Sequence, residues 1–194
     1  MPEGPEMQRA ADQLAEVLLR RKSQLVKFGL DGLSQYENQL AGRRITDVRC
    51  RGKAVLLRFA GGRTIYTHNQ LYGRWYLRPR GDSPQTNRQL RLRIDTNRHS
   101  ALLYSASDIQ VCDSAELATH PYLTKLGPEA LDTGLDASTI ERRLRERGFV
   151  NRGLAALYLD QGFLAGIGNY LRSEIFFVAG IDPTLKPKAL DRNA

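Results

Sequence analysis

Residues 43–77 read RRITDVRCRGKAVLLRFAGGRTIYTHNQLYGRWYL, and this stretch decides the fold. Its β-branched and aliphatic residues alternate with polar ones or run together, as they do in half-buried and buried strands. The pair Gly61–Gly62 lies between two such runs, where glycine pairs typically form hairpin turns. We therefore predict successive antiparallel strands in this stretch.

The strand pattern continues to about residue 112. The segment QLRLRID at 89–95 alternates between aliphatic and arginine side chains, and HSALLYSASDIQVC at 99–112 contains two more short strands. A series of short strands is typical of sandwiches and barrels. We predict that residues from about 25 to 112 form an antiparallel β-sandwich or flattened barrel.

A helix precedes the strands. Over residues 6 to about 20, apolar residues recur at the three- and four-residue spacing of an amphipathic helix: Met7, Ala10, Leu14, Val17 and Leu18. Gly4 is expected as its N-cap and Pro5 as its first residue. This interpretation leaves Pro2 and Glu3 unexplained.

Helices also follow the strands. In DASTIERRLRERG at 136–148, Ser138 is expected as the N-cap, with Glu141 completing a capping box and Gly148 ending the helix. We predict an α+β fold, in which an N-terminal helix and an antiparallel β-sandwich are followed by a small all-helical domain. The expected domains are residues 1–120 for the first, 121–130 for a linker and 131–194 for the helical one.

The charge of the chain points to a class of partner. The 194 residues include 29 lysines and arginines against 21 acids, a net charge of +8. Such a charge favours polyanions, of which nucleic acid is the commonest, and a merely basic protein is the alternative. No apolar run approaches the ~20 residues of a membrane span, and the acidic start is unlike a secretory signal. Cys50 and Cys112 are too few for a disulfide framework or a four-ligand zinc site, so we expect a cytoplasmic protein.

The sharpest chemical motif is LDQGFLAGIGNYLRSEIFF at 159–177, which predicts a helix, a tight glycine turn and a second helix. The N–H groups of Ile167, Gly168 and Asn169 fall at the start of that second helix, where phosphate binds readily. Asn169 is also a candidate cap. The alternative is an ordinary helical hairpin whose glycines only permit close packing.

Two further motifs lie near strand ends. Lys53 follows Gly52 at a turn into a buried strand, where it is placed to touch phosphate or donate a proton, and a solvated surface lysine is the alternative. Gln70, Leu71 and Tyr72 would form a wedge that enters a base stack if they lie together on a loop tip. The alternative is that Leu71 and Tyr72 are core residues of one strand.

Six stretches, in this order, resemble the formamidopyrimidine-DNA glycosylase / endonuclease VIII family of base-excision repair, and its endonuclease VIII branch is the nearer. They are MPEGPE at 1–6, RGKA at 51–54, HNQLYG at 68–73, LLYSASDI at 102–109, GP at 127–128 and LDQGFLAGIGNYLRSEI at 159–175. Because they span nearly the whole chain, together they are far more specific than any one motif.

The resemblance implies a bifunctional DNA glycosylase and abasic-site lyase. In the family Met1 is removed, and the freed amine of Pro2 attacks the sugar carbon that carries the damaged base. The base is expelled, a covalent iminium forms, and β,δ-elimination at both phosphates cuts the strand. Glu3 corresponds to the acid/base that assists opening of the sugar, and Lys53 to a lysine that contacts phosphate and takes part in proton transfer.

The same resemblance implies DNA-binding residues. Gln70, Leu71 and Tyr72 match residues that fill the gap left by the flipped nucleotide. Asn169 matches the phosphate ligand of the family's helix–two-turn–helix motif, and Lys125 matches a basic phosphate contact. The implied partner is damaged double-stranded DNA, bound by a monomer that is associated with the nucleoid.

These residue types suit the implied chemistry. A terminal α-amine has a pKa near ~7.7–8.0, against ~10.4 for lysine, so a usable fraction is unprotonated at neutral pH. A nearby helix N-terminus lowers the pKa of such an amine, because the dipole opposes a cation. The secondary amine of Pro2 gives an iminium that stays charged and draws electrons, as elimination requires. Glu6 and Glu174 match acidic residues near the family's site.

The chain departs from the family at its C-terminal end. The family continues into a finger that usually binds zinc, whereas this chain has no CxxC motif. We expect the chain to be a fragment of a longer protein. It should hold no cofactor itself, and zinc is expected only if the finger is missing from the fragment.

Substrate choice stays open at this point. The Gln70–Tyr72 wedge favours oxidised pyrimidines, and oxidised purines are the near alternative. A protein that binds damaged DNA or RNA without catalysis is an alternative from another class. It would be indicated by a changed N-terminus, and Pro2, Glu3 and Lys53 are all intact.

Overall fold

The structure is a computed structural model that describes residues 2–190. Met1, whose removal the resemblance implies, lies outside the described residues, as do residues 191–194. The α-helices are α1 Gly4–Leu18, α2 Glu37–Leu40, α3 Ser114–Ala118, α4 Ala137–Leu144, α5 Leu154–Leu157 and α6 Asn169–Ala179. The strands are β1 Leu25–Phe28, β2 Ile45–Arg51, β3 Ala54–Phe59, β4 Thr64–His68, β5 Arg74–Pro79, β6 Leu90–Asp95, β7 His99–Tyr104 and β8 Asp108–Cys112. Short 3₁₀ turns occupy Ser34–Tyr36, Leu123–Lys125 and Pro187–Ala189.

The strands of residues 2–190 form two four-stranded sheets, ordered β1-β6-β7-β5 and β2-β3-β4-β8. Every pairing in them is antiparallel. One buried cluster takes side chains from α1 and from both sheets, including Met7, Leu14, Leu57 and Leu103. The predicted α+β class, with a helix before an antiparallel β-rich region, is therefore confirmed.

The hairpin of β3 and β4 forms where the glycine pair predicted it. Gly61 and Gly62 have φ of +99° and +89°, which side chains disfavour, and Ala54 pairs with His68 at the far end of the hairpin. This hairpin, together with β2, carries the loop of Lys53 at one end of its sheet.

Both faces of this sheet are covered. Ala54, Leu56 and Tyr66 point away from the main core and pack under Tyr122 and Leu123, which follow α3. The strand β3 therefore reads as an almost continuous apolar run, as buried strands do.

Residues 121–130, the predicted linker, are hydrogen-bonded to the turn between α5 and α6. The N–H of Ala165 donates to the carbonyl of Pro128 at 2.8 Å, and the N–H of Ala130 donates to the carbonyl of Ala165 at 3.0 Å. We call residues 131–190 the helical lobe; its buried core cluster contains Leu157, Phe163, Leu164 and Ile167. The exact domain boundaries stay a prediction.

The predicted start and end of α4 are wrong. Asp136, not Ser138, is the N-cap, and its carboxylate accepts the N–H of Thr139 at 2.8 Å. A charged acceptor stabilises the first turn better than a hydroxyl, which explains the choice. The helix ends at Leu144, before Gly148.

No helix within residues 2–190 has the length and apolar character needed to cross a membrane.

Candidate active site

The first residues of the chain lie against the glycine-rich turn that precedes α6. The N–H of Gly4 donates to the carbonyl of Gly166 at 2.7 Å. A Cβ on Gly4 would lie 3.1 Å from that carbonyl oxygen, and Gly166 has φ of +94°. Glycine is therefore needed at both positions for the two backbones to meet this closely. This contact fixes Pro2, which is half-buried, at the junction of the helical lobe and the sheets.

Glu3 joins the N-terminus of the chain to the start of α6. Its side chain is only 4% exposed. Its carboxylate accepts the N–H groups of Gly168 at 2.9 Å, Tyr170 at 3.0 Å and Leu171 at 3.1 Å. These are the orphan donors of a helix N-terminus, where the dipole favours an anion. The sequence predicted a phosphate site at this turn, and the N–H of Gly168 is instead bonded to the protein's own carboxylate.

Two predicted caps are therefore wrong. The N-cap of α6 is Gly168, and Asn169 is the first residue of the helix, without a capping side-chain bond. The N-cap of α1 is Glu3, so that Gly4 is already helical. Glu3 therefore serves the start of both helices. Its backbone is the N-cap of α1, and its carboxylate accepts N–H groups at the start of α6.

Gly168 leaves just enough space for this arrangement. A Cβ at this position would lie 2.2 Å from Cδ of Glu3 and 2.3 Å from its Oε1. The side chain of Gln161 braces the same turn by accepting the N–H of Gly166 at 3.0 Å and donating to the carbonyl of Ile167 at 2.9 Å. Gly168 thus makes room for the carboxylate of Glu3, and Gly166 allows the close approach of the backbone at Gly4.

Glu6 lies in the first turn of α1 and is hydrogen-bonded to both Glu3 and Tyr170. Its carboxylate accepts the N–H of Glu3 at 3.0 Å and the hydroxyl of Tyr170 at 2.9 Å. Partial burial raises the pKa of Glu6, but these hydrogen bonds outweigh it and hold the pKa below its usual value. Glu174 is exposed on α6, and no hydrogen bond or ion pair within residues 2–190 connects it with Glu3 or Glu6.

Lys53 projects from the turn between β2 and β3. Gly52 precedes it with φ of +58°. Burial lowers the pKa of the half-buried Lys53, and the nearby charge of Glu3 opposes this effect. The fold thus brings Lys53 within electrostatic reach of Glu3, 50 positions earlier in the sequence.

Two residues that sequence reasoning missed hold this turn. The hydroxyl of Tyr122 accepts the N–H of Lys53 at 2.8 Å. The carboxylate of Glu129 accepts the N–H of Gly52 through both oxygens, at 2.9 and 3.0 Å, and pairs with Arg51 at 3.2 Å. They lie 69 and 77 positions from their partners, so no local pattern could have found them.

The segment Gln70–Tyr72 is a loop tip after β4. Leu71 is 56% exposed and Tyr72 66% exposed, so the alternative that they are core residues is wrong. Gln70 has φ of +50°, and its N–H donates to Nδ1 of His68 at 3.1 Å. The tip closes where the N–H of Gly73 donates to the carbonyl of Asn69 at 2.7 Å.

Lys125 and Asn169 are both exposed. Lys125 ends the 3₁₀ turn at Leu123–Lys125, and a Cβ on Gly162 would lie 3.1 Å from its carbonyl oxygen. The backbone of Lys125 therefore packs against Gly162, in the same glycine-rich segment that leads to Asn169.

The described residues do not fit a zinc site. Among residues 2–190 there is no group of three or more histidines, cysteines, aspartates or glutamates placed to hold a metal ion. Cys50 and Cys112 are free thiols, and burial raises the pKa of Cys50 to about 12. A thiol with such a pKa is a poor metal ligand, because ligation requires the thiolate.

The site thus combines the chain N-terminus, held at the start of α6 through Glu3, with a half-buried lysine and an exposed loop tip, on a strongly basic chain. The model of the formamidopyrimidine-DNA glycosylase N-terminal domain matches residues 1–110. Endonuclease 8 of Klebsiella pneumoniae subsp. pneumoniae is 46% identical over 190 residues, covering 98% of this chain and 72% of that protein. Endonuclease 8 of Shigella flexneri is 46% identical over 194 residues, covering 100% and 73%.

The fold has known counterparts. Lactococcus lactis Fpg in complex with DNA containing an abasic site superimposes with a TM-score of 0.82 at 19% identity, covering 98% of this chain and 72% of that one. MutM in complex with DNA containing carbocyclic 8-oxo-G gives 0.82 at 20% identity, covering 99% and 74%. The chain belongs to the formamidopyrimidine-DNA glycosylase family, as the resemblance predicted. It is a DNA glycosylase and abasic-site lyase of base-excision repair.

Proposed function

We propose that Pro2, freed by removal of Met1, is the nucleophile with which this chain excises oxidised bases. The observation that carries the proposal is the seat of Glu3, whose buried carboxylate is bonded to three N–H groups at the start of α6. This seat fixes the adjoining Pro2 in space. Nucleophilic catalysis gains most from a group whose position is set before the substrate binds.

The proposed reaction has three stages. The lone pair of the Pro2 nitrogen attacks C1′ of the sugar, and the base leaves with the electrons of the glycosidic bond and takes up a proton. Glu3 assists transfer of a proton to the ring oxygen as the sugar opens, and the nitrogen loses its proton to give the iminium. Loss of a proton from C2′ expels the 3′ phosphate, and a second elimination expels the 5′ phosphate.

Lys53 and the exposed residues supply the contacts with DNA. Lys53 is within electrostatic reach of Glu3 and is assigned to phosphate contact and proton transfer. Lys125 and Asn169 are assigned to phosphates, because both are exposed beside the glycine-rich turn. The net charge of +8 supports DNA as the partner. Damaged double-stranded DNA and a monomeric enzyme belong to the same proposal.

Leu71 and Tyr72 are assigned to the gap that a flipped nucleotide leaves in the duplex. Their exposure of 56% and 66% is unusual for large apolar side chains and suits insertion into a base stack. Oxidised pyrimidines are the proposed substrates, supported by this wedge and by the 46% identity to proteins named Endonuclease 8.

Duplexes that contain thymine glycol, 8-oxoguanine or an abasic site test these assignments. We expect cleavage of all three, fastest at the abasic site and faster at thymine glycol than at 8-oxoguanine. Borohydride should trap a covalent complex, and Pro2→Ala, which leaves a primary α-amine in place of the secondary one, should strongly lower the yield of that complex. Pro5→Ala, three residues along the same segment, is the matched control and should trap normally. Binding without cleavage would support a non-catalytic DNA binder instead.

A further inference from the structure

The hydroxyl of Tyr122 lies directly beneath the turn that carries Lys53. It accepts the N–H of Lys53 at 2.8 Å. A Cβ on the preceding Gly52 would lie only 2.6 Å from the same oxygen. The backbone at Gly52 and Lys53 therefore contacts the hydroxyl of Tyr122. No local sequence pattern links these two segments of the chain.

Tyr122 is itself held firmly. Its ring packs edge-on against His68, with 5.2 Å between ring centroids, and against Tyr66, with 6.1 Å between centroids. Burial raises the pKa of Tyr122 to about 12, so the hydroxyl remains neutral at any pH at which the enzyme would work. The ring thus presents an uncharged acceptor at a fixed position.

The position of the turn decides where the Lys53 ammonium lies. The side chain is half-buried and is within electrostatic reach of Glu3 and His68, which are the titratable groups that act on it or respond to it. Without the hydroxyl, the N–H of Lys53 loses this acceptor, while the carboxylate of Glu129 still holds only the neighbouring N–H of Gly52. We propose that Tyr122 is a positioning residue for Lys53, acting through the backbone to fix the turn from which the Lys53 side chain extends.

This inference rests on the proposed role of Lys53. A double-mutant cycle tests the positioning role of Tyr122 separately from the role of Lys53. Tyr122→Phe removes the hydroxyl and keeps the ring. Excision of thymine glycol should slow about fivefold under single-turnover conditions, which is within the range of one neutral hydrogen bond. The same substitution should have less than a twofold effect in a Lys53→Gln background. Affinity for a duplex with a stable abasic-site analogue should change less than twofold, because Tyr122 is not proposed to contact DNA.

Tyr158→Phe is the matched control, since Tyr158 packs against Phe163 and Phe176 in the helical lobe, away from Lys53. It should leave the excision rate unchanged, and melting curves should show each variant folded at the assay temperature. Equal losses from Tyr122→Phe in both backgrounds, or no loss in the native one, would overturn the positioning role. If Lys53→Gln itself excises normally, the assignment of Lys53 fails instead.

Discussion

Replacing Gly168 by alanine tests whether Glu3 really joins the two helices. The backbone at Gly168 has φ of −128° and ψ of −161°, an extended conformation that alanine adopts without strain. Any penalty must therefore come from the new Cβ. That atom would lie 2.2 Å from Cδ of Glu3, where ordinary contacts begin near 3.4 Å. The carboxylate must move by more than 1 Å (roughly the shortfall to van der Waals contact), and its three hydrogen bonds cannot all survive.

The size of the effect follows from what the carboxylate loses. A hydrogen bond to a charged group is worth about 1.5–3 kcal/mol, and leaving a buried charge without its partners costs about 3–5 kcal/mol. Because these contributions are not additive, we expect a loss of about 3–5 kcal/mol in the free energy of unfolding. For a chain of this length that lowers Tm by roughly 10 °C. Pro2 would be displaced as well, so excision should fall more than tenfold, as misplaced reacting groups do.

Differential scanning calorimetry and single-turnover excision at 20 °C measure the two effects. Gly148→Ala is the control, because a Cβ at that position meets nothing within 4 Å. It should leave both Tm and rate unchanged. If Gly168→Ala melts within 2 °C of the native chain and excises within twofold of it, the proposed seat of Glu3 is wrong.

Three further outcomes are expected. Leu71→Ala and Tyr72→Ala should each leave Tm within about 2 °C, since both side chains are exposed, yet slow excision at least tenfold in the same assay. Asn169→Ala should weaken binding to abasic-site DNA without changing the dependence of affinity on salt, because a neutral amide releases no counterions, as measured by fluorescence anisotropy at several salt concentrations. Burial lowers the pKa of His68 and of His120 below the ordinary 6.5, so both favour the neutral form in the folded chain. Stability should therefore be constant between about pH 7 and pH 8 and fall as the pH drops below 6.5, where the unfolded chain binds more protons. A Tm that is unchanged between pH 7.5 and 5.5 would contradict this.

Local patterns predicted the elements whose signal is local. Gly61–Gly62 marks a hairpin because its two strands are neighbours in the chain, and the structure pairs them in register. The α1 periodicity reflects one helix face buried against the sheets, where Met7 and Leu14 lie. Even local signals fail when two candidates compete, as they do at α4, where the carboxylate of Asp136 replaces the hydroxyl of Ser138 as the cap.

The contacts that build the site are long-range, and composition or spacing cannot reveal them. Glu3 meets Gly168 across 165 positions, and Tyr122 meets Lys53 across 69. The resemblance supplied Pro2, Glu3 and Lys53 as a set, but it did not predict that Glu3 caps α6. The glycine-rich motif predicted a phosphate at a helix start where the structure places the carboxylate of Glu3 on the first amide. The exposed Asn169, which the resemblance supplied, remains the proposed DNA contact at that turn.

The identity of the nucleophile is the central claim, and peptide mapping of the borohydride-trapped complex tests it most directly. We predict that mass spectrometry finds the native chain without Met1 and places the sugar adduct on the N-terminal peptide, at Pro2. Pro5→Ala should give the same adduct, and Pro2→Ala, whose terminal amine is primary, should give a much lower yield. An adduct on Lys53, or one that persists in Pro2→Ala at the native yield, would contradict the account.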